Sequence, residues 1–435
     1  MKKQGQQSSL QLNRRGFNKL LGGSIAASLT TGIPLAARAQ SKPHVVVVGG
    51  GAGGATVARY LAKDSDGAID VTLVEDSAEY TTCFYSNLYL GDFRDFDYIT
   101  HSYDKLSDEY GVNFVQARAT SVDRDASTIS LDNGETLSYT RLVIAPGIDM
   151  IFDSVPGYSE AAAEIAPHAW QGGSQTRILK EKLDALENGQ NIVMVAPPNP
   201  YRCPPGPYER VSMMAHLLKS RGMTDSTITI IDPKPKFSKQ GLFQEGWEKH
   251  YAGMIEWIAP DIHGGIINVD VNAGTVETDL DTFEGALLNI IPAQRAGAIA
   301  AAAGLTNDTG FCPVDATSMR SLIDSNIFVV GDASIAGAMP KSGFSANSQA
   351  KVAAMNIRGD LLQSKVFPAR YSNTCWSLIA TDDGVKVGAQ YEAAEGKIGS
   401  TSKFVSQTGE SGEVRKATYE ESIGWYEGMT ADMFG

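Results

Sequence analysis

The apolar positions of this chain gather in short runs without polar alternation, separated by turns rich in glycine or proline. His44-Val45-Val46-Val47-Val48 is one such run, β-branched after its first residue. It predicts a strand covered on both faces in a parallel sheet. Gly49-Gly50-Gly51-Ala52-Gly53-Gly54 follows, then Ala55-Thr56-Val57-Ala58-Arg59-Tyr60-Leu61 with helical character. Val71-Thr72-Leu73-Val74 predicts the next strand, ending at Glu75. Further runs at Arg141–Gly147, Asn191–Ala196 and Ser325–Ala333 repeat the layout, so the pattern is that of an α/β fold. Near the C-terminus Asp382-Asp383-Gly384 and Ser400-Thr401-Ser402 read as turns.

The first turn carries chemistry. Gly49, Gly51 and Gly54 fill G-x-G-x-x-G between a strand and a helix. The first glycine permits the tight turn, the second lets a pyrophosphate approach the backbone, and the third lets the helix close on the strand. The helix N-terminus then offers unpaired N–H groups to the phosphates. Glu75 is placed to accept from an adenosine ribose hydroxyl, which makes the segment a dinucleotide site. A second loop differs. The strand 191–196 runs into Pro197-Pro198-Asn199-Pro200-Tyr201-Arg202-Cys203-Pro204-Pro205-Gly206-Pro207, whose prolines donate no N–H and which holds no glycine before Gly206. That loop cannot cradle phosphates, so a second, pyridine-nucleotide site is predicted to be lost.

Ser325-Asn326-Ile327-Phe328-Val329-Val330-Gly331-Asp332-Ala333 resembles the second FAD fingerprint of the two-dinucleotide-binding flavoproteins, in which the Asp binds the ribityl chain. Arg141-Leu142-Val143-Ile144-Ala145-Pro146-Gly147 is similar to their Ala-Thr-Gly strand, with Pro146 for Thr. The resemblance implies FAD in the first domain, held by Gly49, Gly51, Gly54, Glu75 and Asp332. Read locally, Asp332 is equally a helix cap after a strand.

Charge and length set outer limits. The 435 residues are 43% hydrophobic and carry 37 basic against 50 acidic groups, net −13. An acidic chain without a basic stripe is not a nucleic-acid binder, and no apolar run approaches the roughly 20 residues that span a bilayer. Residues 1–39 hold six of the basic groups and no acid, so the remainder stands at −19. Arg14-Arg15, the mildly apolar stretch Leu20–Ala36 and Ala37-Arg38-Ala39 have the layout of a twin-arginine export signal, which predicts a periplasmic protein exported folded. Cys83, Cys203, Cys312 and Cys375 form no C-x-x-C or C-x-x-C-H, and the six histidines are scattered, so neither metal nor haem is expected on this chain. Four cysteines allow three complete pairings, and spacing does not choose among them.

From Val45 to Gly435 the chain resembles the flavoprotein subunit of flavocytochrome c sulfide dehydrogenase. The segments that carry this are Tyr201-Arg202-Cys203-Pro204-Pro205-Gly206-Pro207-Tyr208-Glu209-Arg210, Ile291-Pro292-Ala293-Gln294-Arg295-Ala296-Gly297, Met339-Pro340-Lys341-Ser342-Gly343-Phe344-Ser345-Ala346-Asn347-Ser348 and Asn373-Thr374-Cys375. The resemblance implies tandem Rossmann-like domains of the glutathione-reductase type with a C-terminal α+β interface domain. FAD would occupy 40–157 and 295–362, a degenerate second domain 158–294, and the interface domain 363–435. It implies a redox-active Cys203–Cys375 disulfide, a thioether from Cys83 to FAD, and Cys312 left over as a buried hydrophobe. Hydrosulfide would open the disulfide, deliver two electrons to the flavin, and a separate c-type cytochrome subunit carrying haem would take them singly. Glu209 is then an acid or base near the disulfide, or else an exposed helix-start glutamate. Lys341, with the helix starting near Phe344, would face the flavin's pyrimidine edge, or else be a solvated lysine. Trp425 would pack near the flavin, or simply in the core. The disulfide itself is alternatively a structural staple. Two related readings are a sulfide:quinone oxidoreductase, against which the acidic tail lacks a basic amphipathic helix, and a partner that reactivates a thiosulfate-oxidising assembly.

Overall fold

The computed structural model describes residues 42–435, which form one compact unit. The export-signal reading of residues 1–39 lies outside them. The branched run His44–Val48 (β1) is a strand whose four valines are buried, as two covered faces require. It sits centrally in a five-stranded parallel sheet with Asp70–Glu75 (β2), Asn113–Gln116 (β3), Arg141–Ile144 (β4) and Ile327–Val329 (β5), in the order β5-β4-β1-β2-β3. Helix Gly54–Asp64 (α1) leaves the glycine loop and packs on the long helix Gly343–Leu362 (α2).

An antiparallel ribbon, Ile148–Ile151 against Ala293–Ala296, marks where the chain leaves this sheet and returns. Between them a second parallel sheet forms, of Ile255–Ile258, Ile228–Ile231, Ile192–Val195 and Leu287–Ile290 in that spatial order. Each of these strands is short and rich in Ile, Val or Leu, the composition of strands buried between helices. Two helices of this insert matter below: Gly206–Ser220 (α3), which follows the proline loop, and Gln240–Tyr251 (α4).

The C-terminal part is a three-stranded antiparallel sheet, Arg370–Ala380, Asp383–Ala394 and Lys397–Val405, followed by helix Gly412–Phe434 (α5). The Asp382-Asp383-Gly384 turn falls at the tight corner between the first two strands, where Asp382 takes φ 58°. Ser400-Thr401-Ser402 is not a turn but lies inside the third strand. Ser400 and Ser402 pair with Tyr391 and Gln390, so a β-bulge absorbs Thr401 and cross-strand pairing overrides the local composition. Helix α5 returns to the first domain, where Asp432 accepts from Tyr60 and Asn347 and meets Lys351 at 2.6 Å. Its inner face thereby brings Trp425 and Tyr426 against the Cys83 loop.

Candidate active site

A cavity of about 650 Å³ opens at the C-terminal ends of the first sheet, where open α/β sheets bind ligands. Gly49, Gly51, Glu75, Ala145-Pro146-Gly147, Asp332 and Cys83 all line it. The glycines are required by geometry. Gly49 takes φ 99°, and a Cβ there would lie 2.3 Å from the Ala145 carbonyl oxygen. A Cβ on Gly54 would lie 1.8 Å from the Gly49 oxygen, so only glycine lets the helix start this close. Glu75 accepts from the Gly50 N–H at 2.6 Å, tying the second strand to the loop. Burial pushes its carboxyl up to about 7.

Asp332 lies in a single 3-10 turn, Gly331–Ala333, rather than capping an α-helix. It is buried, and its Oδ1 has no partner among the described residues. A buried acceptor on a cavity wall without a donor fits a hydroxyl-bearing ligand chain. Its Oδ2 lies 3.7 Å from Arg202 Nη1. Together the cradle, the ribose acceptor and this orphaned carboxylate fit FAD.

Lys341 is neither solvated nor on the wall of this cavity. Its ammonium donates to the backbone oxygens of Asp332 (2.6 Å) and Ser334 (2.9 Å) and stands 3.7 Å over the Phe311 ring. Burial pulls it down to about 8. The lysine therefore buttresses the Asp332 turn from behind, while Arg202 and Arg118 are the cations on the cavity wall, Arg202 the one near Asp332. The helix start does reach the site, because Gly343 and Ala346 of α2 are on the wall, with Ser342 capping at 3.1 Å.

A second cavity of about 70 Å³ adjoins the first, and Cys83, Phe84, Arg202 and Gly343 line both. Cys203, Glu209, Cys375 and Trp425 line it too. The elements explain how they converge. Cys203 ends the proline loop at φ 57° just before α3, its N–H donating to the Lys341 oxygen at 2.7 Å. Cys375 lies on the first strand of the C-terminal sheet, with the Asn373 amide 3.4 Å from its sulfur. Glu209, in the first turn of α3, is buried rather than exposed: it accepts from Asn87 and from the Leu378 N–H, both at 2.9 Å. Burial pushes its carboxyl up. Burial also pushes up Cys203, with the Cys375 and Glu209 charges adding to the effect, and it pushes up Cys375. Trp425 stacks near Trp376 (5.3 Å) and meets Phe84 (5.7 Å), walling the cavity rather than filling a general core. All four cysteines are unbonded in this structure, so Cys203 and Cys375 stand here in the reduced form of the pair. Cys312 is fully buried, its thiol pushed up to about 12, and it lies on neither wall.

The second sheet closes the place where its own nucleotide would sit. Asp232 follows strand Ile228–Ile231 as Glu75 ends β2, but it is fully buried. Tyr208 and Trp257 donate to its Oδ2 at 2.5 and 2.9 Å, and Lys234 pairs with Oδ1 at 2.7 Å. Arg210 is buried as well, donating to Asn87 and Asn289 side chains and to backbone oxygens of the 168–169 segment. Arg210 and Lys239, whose ammonium donates to the Cys375 oxygen at 3.1 Å, had no local sequence signal, since tertiary packing alone brings them here.

The family model for the sulfide dehydrogenase (flavocytochrome c) flavoprotein chain, central, matches residues 176–292. That for flavocytochrome c sulphide dehydrogenase, flavin-binding, matches 368–434, and pyridine nucleotide-disulphide oxidoreductase matches 43–195. The flavoprotein chain of sulfide dehydrogenase from Chlorobaculum thiosulfatiphilum is 58% identical over 44 residues, 10% of this chain and 90% of that one. This chain carries the flavocytochrome c sulfide dehydrogenase flavoprotein-chain domains. A sulfide-quinone reductase of Aquifex aeolicus is 25% identical over 411 residues, 88% of this chain and 90% of that protein. Among solved structures, the sulfide:quinone oxidoreductase of that bacterium superposes with TM-score 0.65 at 21% identity, covering 88% of this chain and 91% of that one. A ferredoxin reductase of Rhodopseudomonas palustris gives 0.62 at 18%, covering 80% and 82%. The fold is thus glutathione-reductase-like, with FAD as the cofactor of the first domain. No helix among the described residues is long and apolar enough to cross a membrane.

Proposed function

We propose that this chain oxidises hydrosulfide through a Cys203–Cys375 disulfide, with Glu209 as the adjoining acid or base. Hydrosulfide attacks one sulfur, the S–S bond breaks, and a persulfide forms on one cysteine and a thiolate on the other. FAD, when bound, takes up the electron pair and stores it for release one electron at a time. The observation that carries this reading is the meeting of two cysteines from different parts of the chain on one small cavity that shares Cys83, Phe84, Arg202 and Gly343 with the cofactor's cavity. Glu209 is held by two donors beside them, and burial raises its carboxyl, which favours its service as a proton carrier.

The same reading includes a thioether between Cys83 and FAD, supported by the position of Cys83 on both walls. It also includes export to the periplasm by the twin-arginine route and a tight heterodimer with a c-type cytochrome that accepts the electrons. The net charge of −19 beyond residue 39 suits a cationic acceptor.

Anaerobic titration of purified protein with sulfide, followed by flavin absorbance, tests the core of it. Bleaching by sulfide but not by NADH, lost in Cys203→Ser and in Cys375→Ser, is the expected result. Bleaching that persists in both variants removes the disulfide from the mechanism, and bleaching by NADH removes the closed second site. Flavin that stays with acid-denatured protein but is released from Cys83→Ser establishes the thioether. Turnover with cytochrome c rather than with a quinone analogue identifies the acceptor class.

A further inference from the structure

We infer that Lys239 is the positioning cation of the cysteine pair, pinning Cys375 from behind and offsetting the negative charge that forms on sulfur. This rests on the disulfide reading above. Lys239 belongs to the central insert and stands immediately before α4, at φ 61°. A non-glycine residue stays in that region only where its surroundings over-determine it, and here its side chain is tied at the far end. The ammonium donates to the Cys375 carbonyl at 3.1 Å and to the Ser377 hydroxyl at 2.8 Å. It is therefore anchored on the backbone of a reacting residue, across a domain boundary, without being on the cavity wall.

Charge balance says why a cation is needed there. Hydrosulfide brings one negative charge; one S–S bond forms as another breaks, the proton stays on the terminal sulfur, and the charge ends on the released thiolate. That anion appears in a buried site beside Glu209, where an uncompensated charge is strongly disfavoured. The charged groups facing Lys239 are Cys375 on its strand, Glu209 of α3, Cys203 of the proline loop and Arg415 of α5. Of these, Cys375 is the one Lys239 touches, through its carbonyl at 3.1 Å. Two other cations line the cavity: Arg210, which directs its donors at four oxygen acceptors, and Arg202, which donates to the Trp170 carbonyl and lies beside Asp332. What sets Lys239 apart is its anchor on the Cys375 backbone itself, with the Asn373 amide as the neutral donor beside the sulfur.

The test compares Lys239→Gln, which keeps donors but no charge, and Lys239→Arg, which keeps the charge, with the parent FAD-loaded protein. In protein reduced by dithiothreitol, the iodoacetamide alkylation rate of Cys375 is read by peptide mass spectrometry as a function of pH. Lys239→Gln is expected to move the alkylation midpoint up by about one pH unit or more, to slow sulfide bleaching about tenfold, and to leave the near-UV circular dichroism unchanged. Lys239→Arg is expected to restore both. An unchanged midpoint in Lys239→Gln, or no rescue by Lys239→Arg, overturns the assignment. A shifted midpoint in a protein that sulfide does not bleach upholds Lys239 at Cys375 and overturns the sulfide reading alone.

Discussion

Gly206 is the tightest point in the wall of the sulfur cavity, and Gly206→Ala turns that tightness into a measurable loss. The residue opens α3, where alanine is intrinsically the better helix former, by up to about 1 kcal/mol. The space is what forbids it. A Cβ there would stand 2.7 Å from Trp170 Cη2, 3.0 Å from the Cys203 sulfur and 3.3 Å from its Cβ. Carbon atoms in contact sit roughly 3.5–4.0 Å apart, so something must move. Trp170 is buried and carries the Arg210 guanidinium over its ring at 4.9 Å, so it has little room to retreat. Cys203 is therefore the group displaced. Overpacking of this kind costs about 1–3 kcal/mol, leaving a net destabilisation of up to about 2 kcal/mol once the full helix preference is credited.

Gly424→Ala supplies the control, because nothing lies within 4 Å of its would-be Cβ on helix α5. It is expected to stabilise by about 0.5–1 kcal/mol and to leave the chemistry untouched. Urea unfolding followed by circular dichroism gives the stabilities, and stopped-flow bleaching by sulfide gives the rates on protein with full flavin content. Gly206→Ala should lose about tenfold or more in bleaching rate, since sub-ångström misplacement of a reacting group is costly. A Gly206→Ala protein as stable as Gly424→Ala, bleached at the parent rate, refutes the packing argument.

Two further outcomes follow from titrating groups. Because the Glu75 carboxyl is raised to about 7 by burial and the ribose site needs an acceptor, FAD affinity of Cys83→Ser protein should fall as pH drops through about 7 and level off above it; fluorescence titration reads this, Glu75→Gln should flatten the profile, and a flat parent profile contradicts it. Asp383, buried between Arg415 at 2.6 Å and His250 at 2.7 Å, is held below its ordinary range, so its contribution to stability is fully present above that range and is lost as pH falls through the lowered value. Asp383→Ala should cost about 2–3 kcal/mol at neutral pH by leaving buried Arg415 with only Glu245, 3.7 Å away, and a loss below about 1 kcal/mol in urea unfolding would show the pair to be unimportant.

What could be read from the chain was whatever local backbone rules dictate. The glycine loop was legible because Gly49 and Gly54 sit where a Cβ has no space, and sterics of that kind are written in residue type. The proline loop was legible for the complementary reason, the missing N–H groups. Side-chain direction was not. Lys341 is at the expected place in the fold, yet its four-carbon stem turns the ammonium onto two backbone carbonyls behind Asp332. Glu209 stood open between exposure and burial until α3 was seen packed on the Cys375 strand, where the Leu378 N–H claims its carboxylate. Arg202 and Lys239 act through contacts to other segments, which no spacing encodes.

The two parallel sheets are built alike, and the difference between them explains why this chain takes electrons from sulfur. In the first, the acid ending the second strand accepts only from backbone N–H groups, those of Gly50, Asp76 and Ser77, and leaves a large cavity beside it. In the second, the equivalent acid is enclosed by Tyr208, Trp257 and Lys234, and Tyr208 is itself stacked on Phe237 at 3.7 Å. A nucleotide ribose arriving there would have to displace a buried charged network and receive few loop N–H groups in return, since prolines fill much of the turn and the Arg202 and Cys203 N–H groups are already used. What the turn retains is its outlet onto a helix N-terminus, the feature that elsewhere favours a phosphate. Here the residue delivered to that helix start is Cys203, with its sulfur 3.0 Å from the Gly206 Cβ position. The Cys203 side chain thus stands at the start of α3, where a helix favours negative charge. The supersecondary unit keeps its electrostatic preference for negative charge while its ligand changes from a dissociable nucleotide to a side chain of the protein itself.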